Sequence, residues 1–317
     1  MKWHMKIWKG KRVGLALGGG GARGLAHIGI LKVLEEESIP LHIIAGTSIG
    51  ALVGGAYASG ITPVEMEKGV EEYLNSPEFQ SSAISAMMKH ADGGERIGLA
   101  QKIQSFLRSG FQLVYAMFRP GMLSEENFRS IIDYFIPDIQ IQETKIPFRA
   151  IATDLVSGEL IVFSQGSLRQ AVMASCAVPG TIEPLREGER LLSDGSITCL
   201  IPGTVARKEG ADIVIAVAVD KDIHSEEELR TARDVYRRAG DIMSHHLESY
   251  ELMNADVVIR PHVGGLNWYD FSRANNLIGE GEKAARRDMD NIHNIIPGTK
   301  KWYTMRQVLK IFRKKDS

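Results

Sequence analysis

Two short stretches carry residue types that do chemistry. The first is Gly46-Thr47-Ser48-Ile49-Gly50, a G-x-S-x-G pattern. Glycines two residues before and after a serine suit a sharp strand-to-helix turn. Such a turn exposes the hydroxyl as a nucleophile and aims the positive end of the following helix at developing negative charge. The second is the run Gly18 to Gly21, continued as Ala22-Arg23-Gly24. Ordering consecutive glycines costs backbone entropy, and an anion that needs bare N–H groups at close range offsets that cost. The pair suggests acyl transfer. Ser48 attacks a carbonyl, and N–H groups from Gly19, Gly20, Gly21 and Ala22 hold the oxyanion, each contributing about 3–4 kcal/mol when well placed. Arg23 could add charge at that point, take a substrate phosphate, or simply pair with a carboxylate.

Competing readings exist for both stretches. Gly19 to Gly24 also satisfies G-x-G-x-x-G, a dinucleotide signature. Against it, Gly18 and Gly20 are superfluous to such a turn, and the acidic residue expected about 20 positions on is missing. A non-enzymatic anion or headgroup binder would use the glycine loop but leave Ser48 unexplained. Ser48 itself could be a serine in a small-residue turn.

A nucleophilic serine needs a base. His224, His245, His246, His262 and His293 fall late in the chain, where a Ser-His-Asp order would want one. None has a suggestive setting: His245 and His246 sit in a polar helical stretch, and His262 follows a proline after a strand. His27 is one turn into a helix and reads as packing or support for the loop. Asp194 ends Leu191-Leu192-Ser193-Asp194-Gly195. An aspartate of ordinary pKa, about 3.9, is a poor base for a serine; it needs a direct hydrogen bond and a partly dry site. An Asp-Gly turn is the plain alternative.

The elements that must position these residues follow from apolar spacing. Val13–Leu17 is a short apolar run stopped by glycine, a buried strand. Helical spacing covers 25–37, a second strand 41–45, and Ala51 onward is helical again. Strand, loop, helix, strand, turn and helix make a βαβ unit with parallel strands, so the glycine loop and Ser48 face one crevice. From 64 to 135 strand signals vanish and methionines gather, which predicts a helical insertion that packs on the core or forms a lid or lipid-facing surface; 101–118 is its most apolar stretch. Strands are expected at 147–153, 159–163, 212–219 and 256–260, with a short one ending at Ser193. Helices are expected at 168–175, 273–296 and 301–310. One α/β domain with a helical insertion and a helical C-terminal extension accounts for the pattern.

Composition narrows the function classes. The 317 residues are 44% hydrophobic and 24% charged, with a net charge of −1. That gives no general attraction to nucleic acid. The basic ends, with Trp3 and Trp8 in the first, are solvated tails or weak anchors to an anionic membrane. Cys176 and Cys199 have no metal-site spacing and cannot form a framework. No apolar run reaches the length of a membrane span, and no signal-peptide stretch precedes the glycine loop. A cytoplasmic protein, in places peripheral to membrane, is expected.

In this order, GGGGARG, GTSIG and the Asp194-Gly195 pair resemble the patatin-like phospholipase family, particularly its bacterial cytoplasmic members. ATDLVSGELIVF and SCAVPGTIEPL also resemble segments of the family, so the likeness covers residues 13–205, with 206–317 completing or extending the fold. The resemblance implies a three-layer α/β/α sandwich with a mostly parallel sheet, related to cytosolic phospholipases. It implies a Ser–Asp dyad without histidine: Ser48 the nucleophile, Asp194 the base. Gly19, Gly20, Gly21 and Ala22 then form the oxyanion loop, with Arg23 at its basic position. The implied substrate is a lipid or fatty-acyl ester, with no cofactor or metal. A carboxylesterase or thioesterase keeps the same chemistry on another substrate. The family often has glycine or alanine after Asp-Gly, where this chain has Ser196. Asp154, frequent in the bacterial members, is expected to be structural.

Overall fold

In a computed structural model, residues 10–82, 85, 88, 123–220, 229–296 and 299 are described. The expectations for Trp3, Trp8, His224, 101–118 and 301–310 lie outside these residues.

Eight strands form one sheet in the order β5-β6-β3-β2-β1-β7-β8, with β4 also on β3. They are β1 (Val13–Leu17), β2 (Ile43–Thr47), β3 (Phe148–Asp154), β4 (Leu160–Phe163), β5 (Leu185–Glu187), β6 (Arg190–Asp194), β7 (Ile213–Val217) and β8 (Val257–Ile259). β1, β2, β3, β7 and β8 are parallel, and β4, β5 and β6 are antiparallel to their neighbours. Every residue of β1, β2 and β7 is buried. These strands are apolar without alternation because helices cover both faces, as a parallel sheet requires.

One face carries α1 (Ala26–Glu36), α2 (Ile49–Ser59), α3 (Pro63–Leu74), the short α4 (Pro77–Gln80), α5 (Glu125–Phe135) and α6 (Leu168–Ser175). α3 starts sharply because Thr62 and Glu65 form a capping box and Pro63 opens the helix. The other face carries α7 (Gly203–Lys208) and α8 (Ala232–Leu252), through Val205, Ala206, Leu247 and Leu252. The final helix, α9 (Ala274–Ile295), packs on α1 and joins the first layer. The protein is thus a three-layer α/β/α sandwich, and described helices occupy both ends of the expected insertion.

The register of β3 positions the site. β2 pairs with Phe148 to Ile151, and β6 pairs with Ala152 to Asp154. β4 pairs with Ala150 to Thr153 and so overlaps both. It must therefore occupy the opposite edge of β3, which leaves β2 and β6 sharing one edge end to end. They run in opposite directions, so their carboxyl ends meet. β2 ends at Thr47, two residues later than the sequence suggests, because Gly46 and Thr47 still pair with Ala150 and Ile151. β6 ends at Asp194, opposite Ala152. Ser48 and Asp194 leave the sheet at the same point.

Candidate active site

Ser48 links β2 to α2 with φ 55° and ψ −126°. A positive φ is uncommon outside glycine and marks the strained turn that the G-x-S-x-G pattern anticipates. Gly46 and Gly50 make it possible: a Cβ at Gly46 would strike the Gly50 carbonyl, and one at Gly50 the Leu17 carbonyl. The Ser48 N–H donates to Ser175 Oγ at 2.9 Å, and the neighbouring Thr47 hydroxyl donates to the Cys199 carbonyl at 2.9 Å. The Ser48 side chain lies near enough to the Asp194 carboxylate to help hold its pKa down.

Asp194 is 1% exposed. Burial pushes its carboxyl above the ordinary range, and polar groups of Ser48 and Ser196 hold it back. The Ser196 N–H lies 2.9 Å from Asp194 Oδ1. The residue that departs from the family pattern thus serves the carboxylate through its backbone N–H. Among the described residues no histidine is bonded to Ser48. His245 and His246 lie on α8, His262 follows β8, and His293 lies 4.0 Å from Glu37. No group of three or more His, Cys, Asp or Glu among the described residues could hold a metal ion.

The glycine loop runs from β1 into a 3-10 turn, Gly21–Leu25. A Cβ on Gly19 would sit 3.5 Å from that of Ser48, so the loop lies against the serine. Its carbonyls are turned away by two buried side chains. His27 Nε2 donates to the Gly18 carbonyl at 2.8 Å. Arg23 Nε donates to the Gly20 carbonyl at 3.0 Å, and its other end pairs with Asp220 at 2.8 Å. Of the readings open for Arg23, the structure thus displays pairing with a carboxylate, in a buried rather than a surface setting. Burial lowers His27 to a pKa of about 4, so its ring is neutral at pH 7. Nδ1 has no partner, which assigns the proton to Nε2.

The N–H groups separate the four expected donors. Gly19 N–H is spent on the Leu200 carbonyl at 3.0 Å, and Ala22 N–H on the Trp268 carbonyl at 2.6 Å. Gly20 caps the 3-10 turn and Gly21 opens it, and the first N–H groups of a helical turn lack internal partners. Neither has a backbone partner among the described residues outside that turn. Gly21 and Ser48 line one apolar cavity of about 130 Å³, with Leu52, Phe128, Phe135 and Trp268 in its wall. Tyr73, Phe135 and Tyr134 meet edge to face or tilted beside it, with centroids 4.9–5.3 Å apart. Phe79 and Phe271 separate it from an open, more polar depression of about 540 Å³.

Asp154 accepts from Val156 N–H at 3.1 Å, Ser157 Oγ at 2.7 Å and Leu191 N–H at 3.1 Å. These bonds lower its pKa and fasten the β3–β4 turn to β6. Ser175, Asp220 and Trp268 carry no sequence signal of their own. Their contributions to the site are one hydrogen bond or ion pair each, across long sequence separations.

A family model described as patatin-like phospholipase matches residues 15–202. An NTE family protein of Mycobacterium tuberculosis is 34% identical over 209 residues, covering 66% of this chain and 49% of that protein. Patatin-like phospholipase domain-containing protein 7 of Rattus norvegicus is 34% identical over 216 residues, covering 68% of this chain and 14% of that protein. The chain therefore spans about half or less of the length of these relatives. Among solved structures, VipD from Legionella pneumophila aligns with a TM-score of 0.43 at 15% identity, over 89% of this chain and 67% of that one. With the family model matching more than half of its residues, the chain belongs to the patatin-like phospholipase family.

Proposed function

We propose that the chain is a serine acyl hydrolase of lipid esters, with Ser48 as nucleophile and Asp194 as base. The observation that carries this reading is the convergence of Ser48, in its positive-φ turn, with a carboxylate that is 1% exposed, where the carboxyl ends of β2 and β6 meet on β3. A dry setting raises the basicity of Asp194, which an aspartate needs before it can take a serine proton. Family membership supports lipid esters as the substrate class.

In this reading Ser48 Oγ bonds to the ester carbonyl carbon while its proton passes to Asp194. The carbonyl oxygen becomes an oxyanion, held by the N–H groups of Gly20 and Gly21 and by the N-terminal end of α2. The carbon–oxygen bond to the alcohol breaks, and Asp194 returns the proton to the departing alkoxide. Water then attacks the acyl-serine, giving its proton to Asp194. The carbon–Oγ bond then breaks to release the fatty acid, and Asp194 returns the proton to Ser48 Oγ. The acyl chain lies in the apolar cavity beside Ser48.

One observation favours a carboxylesterase or thioesterase for smaller acyl groups. The cavity, about 130 Å³, is close to the ~150 Å³ of a site that takes benzene, so it holds part of a long chain only. Hydrolysis of p-nitrophenyl esters of two to sixteen carbons and of phospholipid vesicles, by wild type, Ser48→Ala and Asp194→Asn, tests both. Activity on long esters and vesicles that both variants lose supports the lipid reading. Activity confined to the shortest esters supports the alternative, and undiminished activity in Asp194→Asn overturns the dyad.

A further inference from the structure

α8 is held inward by both apolar and polar contacts. Leu247 and Leu252 pack on the sheet, and the polar side chains beside them reach specific partners. Ser244 Oγ donates to Asp220 at 2.9 Å, Glu248 pairs with Arg260, and Glu251 accepts the Ile201 N–H at 2.6 Å. Glu248 and Glu251 are buried, so rotating the helix would strand their carboxylates and leave Ile201 N–H unpaired. The outward side is apolar along its whole length. Val235, Tyr236, Ile242, Met243, Tyr250 and Met253 are between 39% and 85% exposed. The positions between them on this arc are Ala232, Ala239, His246 and Ser249, with no Asp, Glu, Lys or Arg.

We propose that this face is an interface between two copies of the chain, packed helix to helix about a twofold axis near Met243. Three observations select a second copy. Tyr236, Met243 and Tyr250 recur every seven residues, the spacing of a seam that packs against another helix. Tyr-x6-Met-x6-Tyr is the same read from either end, so an antiparallel twofold sets Tyr236 of one copy on Tyr250 of the partner subunit, with Met243 on itself. Taking about 200 Å² for a large side chain, the six exposures amount to roughly 750 Å² a copy. A standard interface buries about 800 Å² per partner, and the largest patch on an ordinary monomer is about 300–600 Å². Small residues at 239 and 240 let the two helices approach closely, and a Cβ at Gly240 would meet open space.

The test is the mass of the full-length protein by light scattering at about 50 μM, for wild type and Met243→Glu, with circular dichroism as the check on folding. A wild type at twice 35.0 kDa and a folded Met243→Glu at the monomer mass are expected. Met243→Cys supplies a second measurement. A residue on the twofold meets its own copy within disulfide reach of about 7 Å, and Cys176 and Cys199 are both buried, so oxidation yields a linked dimer. A monomeric wild type, a dimer indifferent to Met243→Glu, or no linkage in Met243→Cys each overturns the proposal. A monomeric wild type whose binding to phosphatidylglycerol vesicles is lost in Met243→Glu assigns the face to a lipid surface instead.

Discussion

Ser48 and Asp194 form the smallest unit of the proposed chemistry, and their environments set the pH at which it works. Asp194 must be ionised to accept the Ser48 proton, and burial holds its pKa above the ordinary carboxylate range. The acid limb of kcat/KM is therefore expected above the ordinary aspartate value of about 3.9. Rates from pH 4 to 8 give it directly; a limb below pH 4 contradicts a buried base. Asp194→Asn keeps the shape but removes the proton acceptor, with an expected loss in kcat on the order of 10⁴-fold. His27 makes a prediction about stability. Its folded pKa of about 4 lies below the unfolded value of 6.5, so between these the unfolded chain binds more protons. The contribution is complete above pH 6.5 and is lost as pH falls toward 4. By pH 5 about 2 kcal/mol is lost through this one ring. Urea unfolding at pH 7.5 and 5.0 checks it: wild type loses about 2 kcal/mol more than His27→Gln, and equal losses would deny that the ring is buried neutral.

The loop from Arg260 to Arg273, between β8 and α9, lies over the glycine loop. Gly21, at φ +58°, has room only for hydrogen beside the Trp268 carbonyl. That carbonyl also fixes the Ala22 N–H. Gly21→Ala is expected to push the covering loop off and misplace the Gly20 and Gly21 N–H groups. A loss of about 10²–10³-fold in kcat follows, the usual cost of an oxyanion donor, with the far-ultraviolet spectrum unchanged. Trp268→Ala keeps the backbone carbonyl and trims only the cavity wall, so KM rises while kcat holds. Equal kinetics in Gly21→Ala and wild type would show that the donors lie elsewhere. These elements differ in how legible they were. The elbow and the glycine loop are local: their glycines, spacing and flanking apolar runs sit within a few residues of the groups they serve. Asp194 was a candidate from its strand-end position but was separated from an Asp-Gly turn only through family resemblance, because its meeting with Ser48 depends on β2 and β6 sharing one edge of β3, a matter of non-local register. The division of the loop's donors was not legible at all. Carbonyls of Leu200 and Trp268 decide it, and any residue has a carbonyl.

The family match ends at residue 202, yet the molecule gives no sign of a boundary there. β7 lies beside β1 through Val13 to Leu17, with only β8 beyond it at that edge of the sheet. The Gly18 N–H ends on the Val217 carbonyl, Arg23 on Asp220 and the Ala22 N–H on Trp268. α9 covers α1, and Leu277, Ile278, Met289 and Ile292 of α9 belong to the main core cluster. Cutting after residue 205 would bare one edge of β1 and an apolar face of α1, and free three contacts that shape the glycine loop. An exposed apolar strand edge is an aggregation template. A fragment of residues 1–205 is therefore expected to be insoluble or unfolded and without esterase activity. Co-expression with 206–317 should restore both properties, because the second piece supplies β7, β8 and α9 together. Sedimentation and p-nitrophenyl ester hydrolysis of the fragment, the pair and the full chain decide the matter. A soluble, active fragment would show that 206–317 is an appendage, and that the oxyanion loop holds its shape without Asp220 and Trp268.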